Sequence, residues 1–223
     1  MAKFKLNYIF RNWSVFEITW LIVFFIIGII LSVVWESDLI STIAFITGIF
    51  CVVLVAKGSI WNYAFGLINC IAYAYVAFCS LLYGEVILNL LYYLPMQFIG
   101  IYLWTRNSTN DKRVRMKELT RSKQIGLFII TIICIVLFQQ LLIMLGSTYT
   151  GLDSITTVVS VVAQILLALR YKEQWLLWII VNIISIIMWT LAGNPIMVLM
   201  WTAYLINAAY GYYNWNKGAK LNV

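Results

Sequence analysis

Histidine is absent from this chain of 223 residues, and Asp and Glu together number only eight. Without histidine there is no Ser–His or Cys–His pair for nucleophilic catalysis, and no imidazole to ligate a metal. Glu17, Glu36, Glu85 and Glu173 stand at the ends of apolar runs, and no carboxylate lies in the middle of one. Carriers coupled to protons or ions usually hold ionisable groups inside the membrane. Their scarcity argues for facilitated movement without proton coupling, with Na⁺ held by backbone carbonyls left open. The four cysteines (Cys51, Cys70, Cys79, Cys134) fall inside apolar runs without a CxxC pair. They read as packing residues, so no disulfide and no metal framework are expected. No glycine-rich phosphate loop is present, which excludes ATP hydrolysis by this chain. The chain is expected to be no enzyme and to need no cofactor.

Charge is scarce in total as well, at 10% of residues against 64% hydrophobic, and the mean hydropathy is +0.94. A soluble domain carries about 25% charge. The apolar runs are continuous rather than alternating, which excludes a membrane β-barrel. Only helices satisfy their own backbone in lipid, so the expected class is an all-α integral membrane bundle. Eight spans fit, at roughly 17–35, 39–56, 60–83, 85–104, 123–145, 152–169, 175–192 and 196–215. The apolar run from Ile18 to Val34 is too long for a signal-peptide core, so it counts as a span.

This span count sorts the fifteen Lys and Arg residues to one side of a membrane. Lys3, Lys5 and Arg11 lie before span 1, and Lys57 lies between spans 2 and 3. Arg106, Lys112, Arg113, Arg115, Lys117, Arg121 and Lys123 lie between spans 4 and 5. Arg170 and Lys172 lie between spans 6 and 7, and Lys217 and Lys220 follow span 8. Glu36, Asp38, Glu85 and Asp153 fall on the other side. The positive-inside rule makes the basic side cytoplasmic, with both termini there. Topology accounts for the +7 net charge, so nucleic acid is not an expected partner.

A repeat is concealed in the apolar runs. Adding 113 takes Ser41 to Ser154, Lys57 to Arg170, Phe65 to Trp178 and Asn69 to Asn182. Adding 111 takes Tyr93 to Tyr204, Gly100 to Gly211, Tyr102 to Tyr213 and Trp104 to Trp215. The expected organisation has an extra N-terminal helix (1–38), a first three-helix repeat (39–104), a basic loop with a linker helix (105–151), a second repeat (152–216) and a tail (217–223). A single linker helix returns the chain to its starting face, so the two triplets run parallel. Parallel repeats mark a transporter class with its substrate site between the halves.

Uncharged amides gather at one depth. Counting 1.5 Å per residue from the span ends, Asn69, Asn182, Gln97, Asn207 and Gln164 lie about 11–18 Å into their spans. An amide in hydrocarbon is costly unless bonded, so each should face the interior. Trp175, Trp178, Asn182 and Ser185 share one helix face, and Asn62, Phe65, Asn69 and Tyr73 share the corresponding one. Tyr93 and Tyr204 add aromatic surface beside Gln97 and Asn207. Amides can read hydroxyls and carboxamides, and rings can stack on a flat ligand. Bonding between helices is the structural alternative for each amide. Trp61, Trp175, Trp104, Trp201 and Trp215 also suit an interfacial belt or packing. Pro95 removes a backbone bond within span 4, making it and the glycines Gly100 and Gly211 candidate hinges, or sites of a static kink.

The run Trp175-x-x-Trp178-x-x-x-Asn182, in a three-plus-one-plus-three layout, resembles the PnuC family of bacterial nicotinamide riboside transporters, which are similar in architecture to SWEET sugar carriers. Trp61, Phe65-Gly66, Asn69 and Gln97 to Gly100 carry the resemblance into the first triplet, and it covers about residues 39–216. It implies facilitative, alternating-access uptake of nicotinamide riboside across the bacterial inner membrane, with a cytoplasmic kinase trapping the product. It also implies a homo-oligomer, a trimer. Carried over by position, Trp175 and Trp178 would flank the nicotinamide, while Asn182, Asn69 and Gln97 would bond its carboxamide or the ribose hydroxyls. Thiamine, riboflavin and other nucleosides are alternative substrates. A membrane scaffold with purely structural amides is the non-transport alternative.

Overall fold

The computed structural model describes residues 13–108, 114–144 and 150–221. The basic residues Lys3, Lys5, Arg11, Lys112 and Arg113 fall outside this range. The described residues are helical apart from turns and two isolated β-bridges.

Helix α1 is Val15–Val34, α2 is Leu39–Lys57 and α3 is Asn62–Cys79. Helix α4 has three parts: Tyr83–Ile87, a π-helical stretch Leu88–Tyr93, and Leu94–Arg106. Helices α5 (Arg121–Met144), α6 (Thr150–Ala168), α7 (Gln174–Leu191) and α8 (Pro195–Leu221) follow. Six of these are long and apolar enough to cross a membrane, and α6 contributes a shorter apolar stretch, Ser154–Ala168. Helix α8 continues past the expected span end at 215, carrying Lys217 and Lys220 in its last turns.

Local chemistry explains the boundaries. Ser14 and Glu17 form a reciprocal capping box that opens α1. Asp38 opens α2 by accepting from the backbone N–H groups of Ile40 and Ser41, each at 2.9 Å, and from the Ser41 hydroxyl. Partial burial raises the Asp38 pKa, but these bonds outweigh it and hold the carboxyl below its usual 3.8. Asn194 accepts from the Met197 N–H at 3.2 Å, and Pro195 takes the first helical position of α8. Gly58 closes α2 in the left-handed region at φ 72°.

The wide turn of α4 lies just before Pro95. Proline lacks an N–H and its ring collides with the carbonyl four residues back. The π-helical stretch admits one more residue per turn there, and such bulges cluster at functional sites.

Helix α8 packs on α2, and α4 packs on α6. One apolar cluster runs from Leu21 and Phe24 of α1 through Phe45 and Tyr73 to Trp189 and Met200. A second, around Tyr63, Trp104, Trp175 and Trp215, lies toward the turns at Gly58 and Arg170. Helix α1 is fastened to α2 by a buried ion pair, Glu17–Lys57 at 3.4 Å, with the Lys57 ammonium 4.0 Å from the Trp13 ring centroid. Helix α5 is peripheral, and Thr131 is its one buried residue.

Candidate functional site

Between the two apolar clusters lies a cavity of about 130 Å³. Helices α2, α3, α4, α6, α7 and α8 all contribute to its wall. Eight residues that the sequence brings forward line it: Asn69, Tyr93, Gln97, Gln164, Trp175, Trp178, Asn182 and Tyr204. Four are amides and four are aromatic, and they come from α3, α4, α6, α7 and α8.

Their hydrogen bonding separates holders from open groups. The Asn69 amide donates to the Ala44 carbonyl at 2.8 Å. Gln97 has only a long contact to the Cys70 sulfur, 3.7 Å. Trp178 donates to the Gln174 amide oxygen at 3.3 Å. Asn182 is 2% exposed and Gln164 4%, and neither side chain takes part in a hydrogen bond among the described residues. The Trp175 indole N–H is likewise buried without a partner among them. Buried polar groups are nearly always satisfied. Three open groups on one cavity wall are therefore positioned for a guest that supplies partners.

Close-fitting glycines seat these side chains. A Cβ on Gly66 would come within 2.5 Å of the Gln97 amide oxygen, and one on Gly211 within 2.5 Å of the Trp175 ring. A Cβ on Gly48 would overlap the Tyr204 hydroxyl, and one on Gly100 the Tyr63 ring. Gly100 and Gly211 are thus contact glycines beneath aromatic rings. Pro95 is exposed at the end of the π-helical stretch.

Two candidates stand outside the wall. Phe65 stacks on Phe50, with centroids 5.0 Å apart and planes 16° from parallel. Asn207 donates to the Val52 carbonyl at 2.9 Å and ties α8 to α2. Asn89, which helical spacing places on the face of Tyr93 and Gln97, also lines the cavity, and other lining residues come from positions not put forward as a site, notably Ser160, Trp201 and Glu85. Glu85 matters most, because among the described residues it is the one acidic residue of the wall, and no Lys or Arg lines it. A carboxylate at a span end gave no sequence signal of facing inward.

The end nearest the basic residues is closed in two layers. Trp175, Trp215, Trp104 and Tyr63 form successive ring contacts with centroids 5.1–6.0 Å apart. Beyond them a strap over residues 114–120 bridges both turns. Its Val114 N–H donates to Gly58, and Lys117 exchanges backbone bonds with Arg170 and Lys172. Lys172 pairs with Glu118 at 2.7 Å. Burial, with Arg170 and Lys123 nearby, lowers the Lys117 pKa, and burial does the same to Arg170.

Comparison with known proteins sets this cavity in a family. The sequence profile of the family described as "Nicotinamide mononucleotide transporter" matches residues 38–217. The chain belongs to that family. It is 45% identical over 222 residues to the nicotinamide riboside transporter PnuC of Haemophilus influenzae, covering 98% of this chain and 97% of the relative. It is 40% identical to the protein of the same name from Neisseria mucosa, covering 95% and 85%. The crystal structure of a vitamin B3 transporter PnuC matches with a TM-score of 0.89 at 39% identity, covering 97% of each chain. The relatives are transporters and not enzymes. With its apolar helices, the chain is a multi-pass membrane transporter, and the resemblance read from the tryptophan–asparagine run holds.

Proposed function

We propose that this protein is a facilitative carrier of nicotinamide riboside in the bacterial inner membrane. One observation carries the substrate choice. The cavity wall combines three tryptophans, the amides of Asn182 and Gln164 and one carboxylate, with no Lys or Arg among the described residues. A flat carboxamide-bearing ring and a ribose suit that set. The phosphate of the mononucleotide would enter a poorly hydrated cavity without a cationic partner, which is costly. In this proposal Trp175, Trp178, Asn182, Gln164, Gln97, Asn69, Tyr93 and Tyr204 meet the substrate. Asn207 and Phe65 act behind them, through α2. A cytoplasmic kinase then traps the product.

The same proposal includes eight spans with both termini cytoplasmic, and two parallel triplets at 39–104 and 152–216. Crossed packing of α8 on α2 and α4 on α6 supports the parallel pairing. Alternating access would open the Trp104–Trp215 layer and the strap, with Pro95 as the point of bending. A trimer, taken from the resemblance, is part of the proposal; native mass spectrometry tests it.

Glu85 also favours a second cationic substrate, thiamine. Proteoliposomes decide between them. Uptake of labelled riboside should occur without an ion gradient, compete with unlabelled riboside and resist excess thiamine. Uptake no faster than in protein-free vesicles would refute the proposal.

A further inference from the structure

We infer that Glu85 selects for a positively charged ring, so that the cavity binds the pyridinium form of its guest in preference to a neutral one. This rests on the riboside proposal, because the nitrogen that joins nicotinamide to ribose makes the ring a cation.

Glu85 occupies the first turn of α4, where the helix dipole favours a carboxylate. The Asn89 amide of the π-helical stretch donates to the Glu85 carbonyl at 2.8 Å and secures that turn. Both residues line the cavity. Tyr73 and Tyr93 line the same wall as Glu85, so the carboxylate shares the cavity with their hydroxyl groups.

Charge balance then decides the effect. A cation leaving water for a poorly hydrated site loses hydration that the site must replace. The faces of Trp175 and Trp178 supply part of this through cation–π attraction. A carboxylate supplies more, since charges at short range interact strongly where water is sparse. Among the described residues no Lys or Arg lines the wall. Glu36 and Asp38 lie at the same end of the bundle as Glu85, in the turn that precedes α2 and at its N-cap. An approaching cation therefore meets negative charge first.

The test is calorimetric titration of the purified full-length protein with two ligands of the same outline: nicotinamide riboside, a cation, and its neutral 1,4-dihydropyridine form. The wild type should prefer the cation. Glu85→Gln should weaken the cation by about tenfold or more while leaving the neutral form unchanged, which collapses the preference. Glu85→Asp, which keeps the charge, should retain it. Unchanged cation binding by Glu85→Gln would overturn the inference, as would an equal loss of both ligands. If the wild type binds neither riboside, the riboside proposal fails first and takes this assignment with it.

Discussion

Trp104 and Trp215 make reciprocal bonds across the molecule. The Trp104 indole N–H of α4 donates to the Leu167 carbonyl of α6 at 3.1 Å, and that of Trp215 in α8 donates to the Val55 carbonyl of α2 at 3.0 Å. Both acceptors also close their own helix ends, receiving the N–H of Arg170 and of Gly58 at 2.9 Å. The rings themselves lie 5.9 Å apart, and both are fully buried. These two bonds and the ring contact form one closed layer beneath the cavity.

Trp104→Phe and Trp215→Phe each remove one indole bond. Because each carbonyl keeps a backbone partner, the loss should fall near the low end of about 0.5–1.5 kcal/mol. In melting experiments the double variant should deviate from the sum of the singles, since the rings touch. Purely additive losses would show that the layer does not act as a unit.

The amides should divide into two classes. Asn182 makes no protein hydrogen bond, so Asn182→Ala should leave melting nearly unchanged and reduce riboside binding at least about tenfold, the effect of a lost ligand bond of about 1–3 kcal/mol. Asn69 and Asn207 hold α2 through Ala44 and Val52. Their alanine variants should lower the melting temperature. Equal melting losses for all three would remove the distinction.

Gly211 sits against the Trp175 ring, whereas Gly126 of α5 faces open space. Gly211→Ala should cost about 1–3 kcal/mol through overpacking and should displace Trp175, weakening binding. Gly126→Ala should change neither. Titration and melting of both variants together check this.

Asp38 gives a pH signature. Its folded pKa lies below 3.8, so its stabilisation is present above the unfolded value and is lost as pH falls through the folded one. Asp38→Ala should cost about 0.5–2 kcal/mol at neutral pH through loss of the N-cap. The gap to wild type should shrink as pH falls from the unfolded value through the folded one. A gap that stays constant down to pH 3 would show that the charge plays no part.

The helices were legible because continuous apolar runs are a local signal. The amide–aromatic faces were legible because helical spacing places Trp175, Trp178 and Asn182 together. What escaped depends on neighbours distant in sequence. Asn207 sits at the right depth, but the Val52 carbonyl of α2 engages its amide. Phe65 occupies the face of Asn69, but Phe50 covers it. Trp104 and Trp215 suited either an interfacial belt or packing, and their full burial fits packing. Glu85 reaches the cavity from the turn just before the π-helical stretch, and Pro95 alone does not foretell that wide turn. The strap exists only because two turns far apart in the chain lie side by side.

The central claim is that this cavity holds nicotinamide riboside and rejects its phosphorylated form. Calorimetric titration of the purified wild-type protein with each compound tests it most directly. Saturable binding of the riboside, with the mononucleotide weaker by at least about a hundredfold, is the predicted result. Equal or tighter binding of the mononucleotide, or no heat from the riboside, would contradict it.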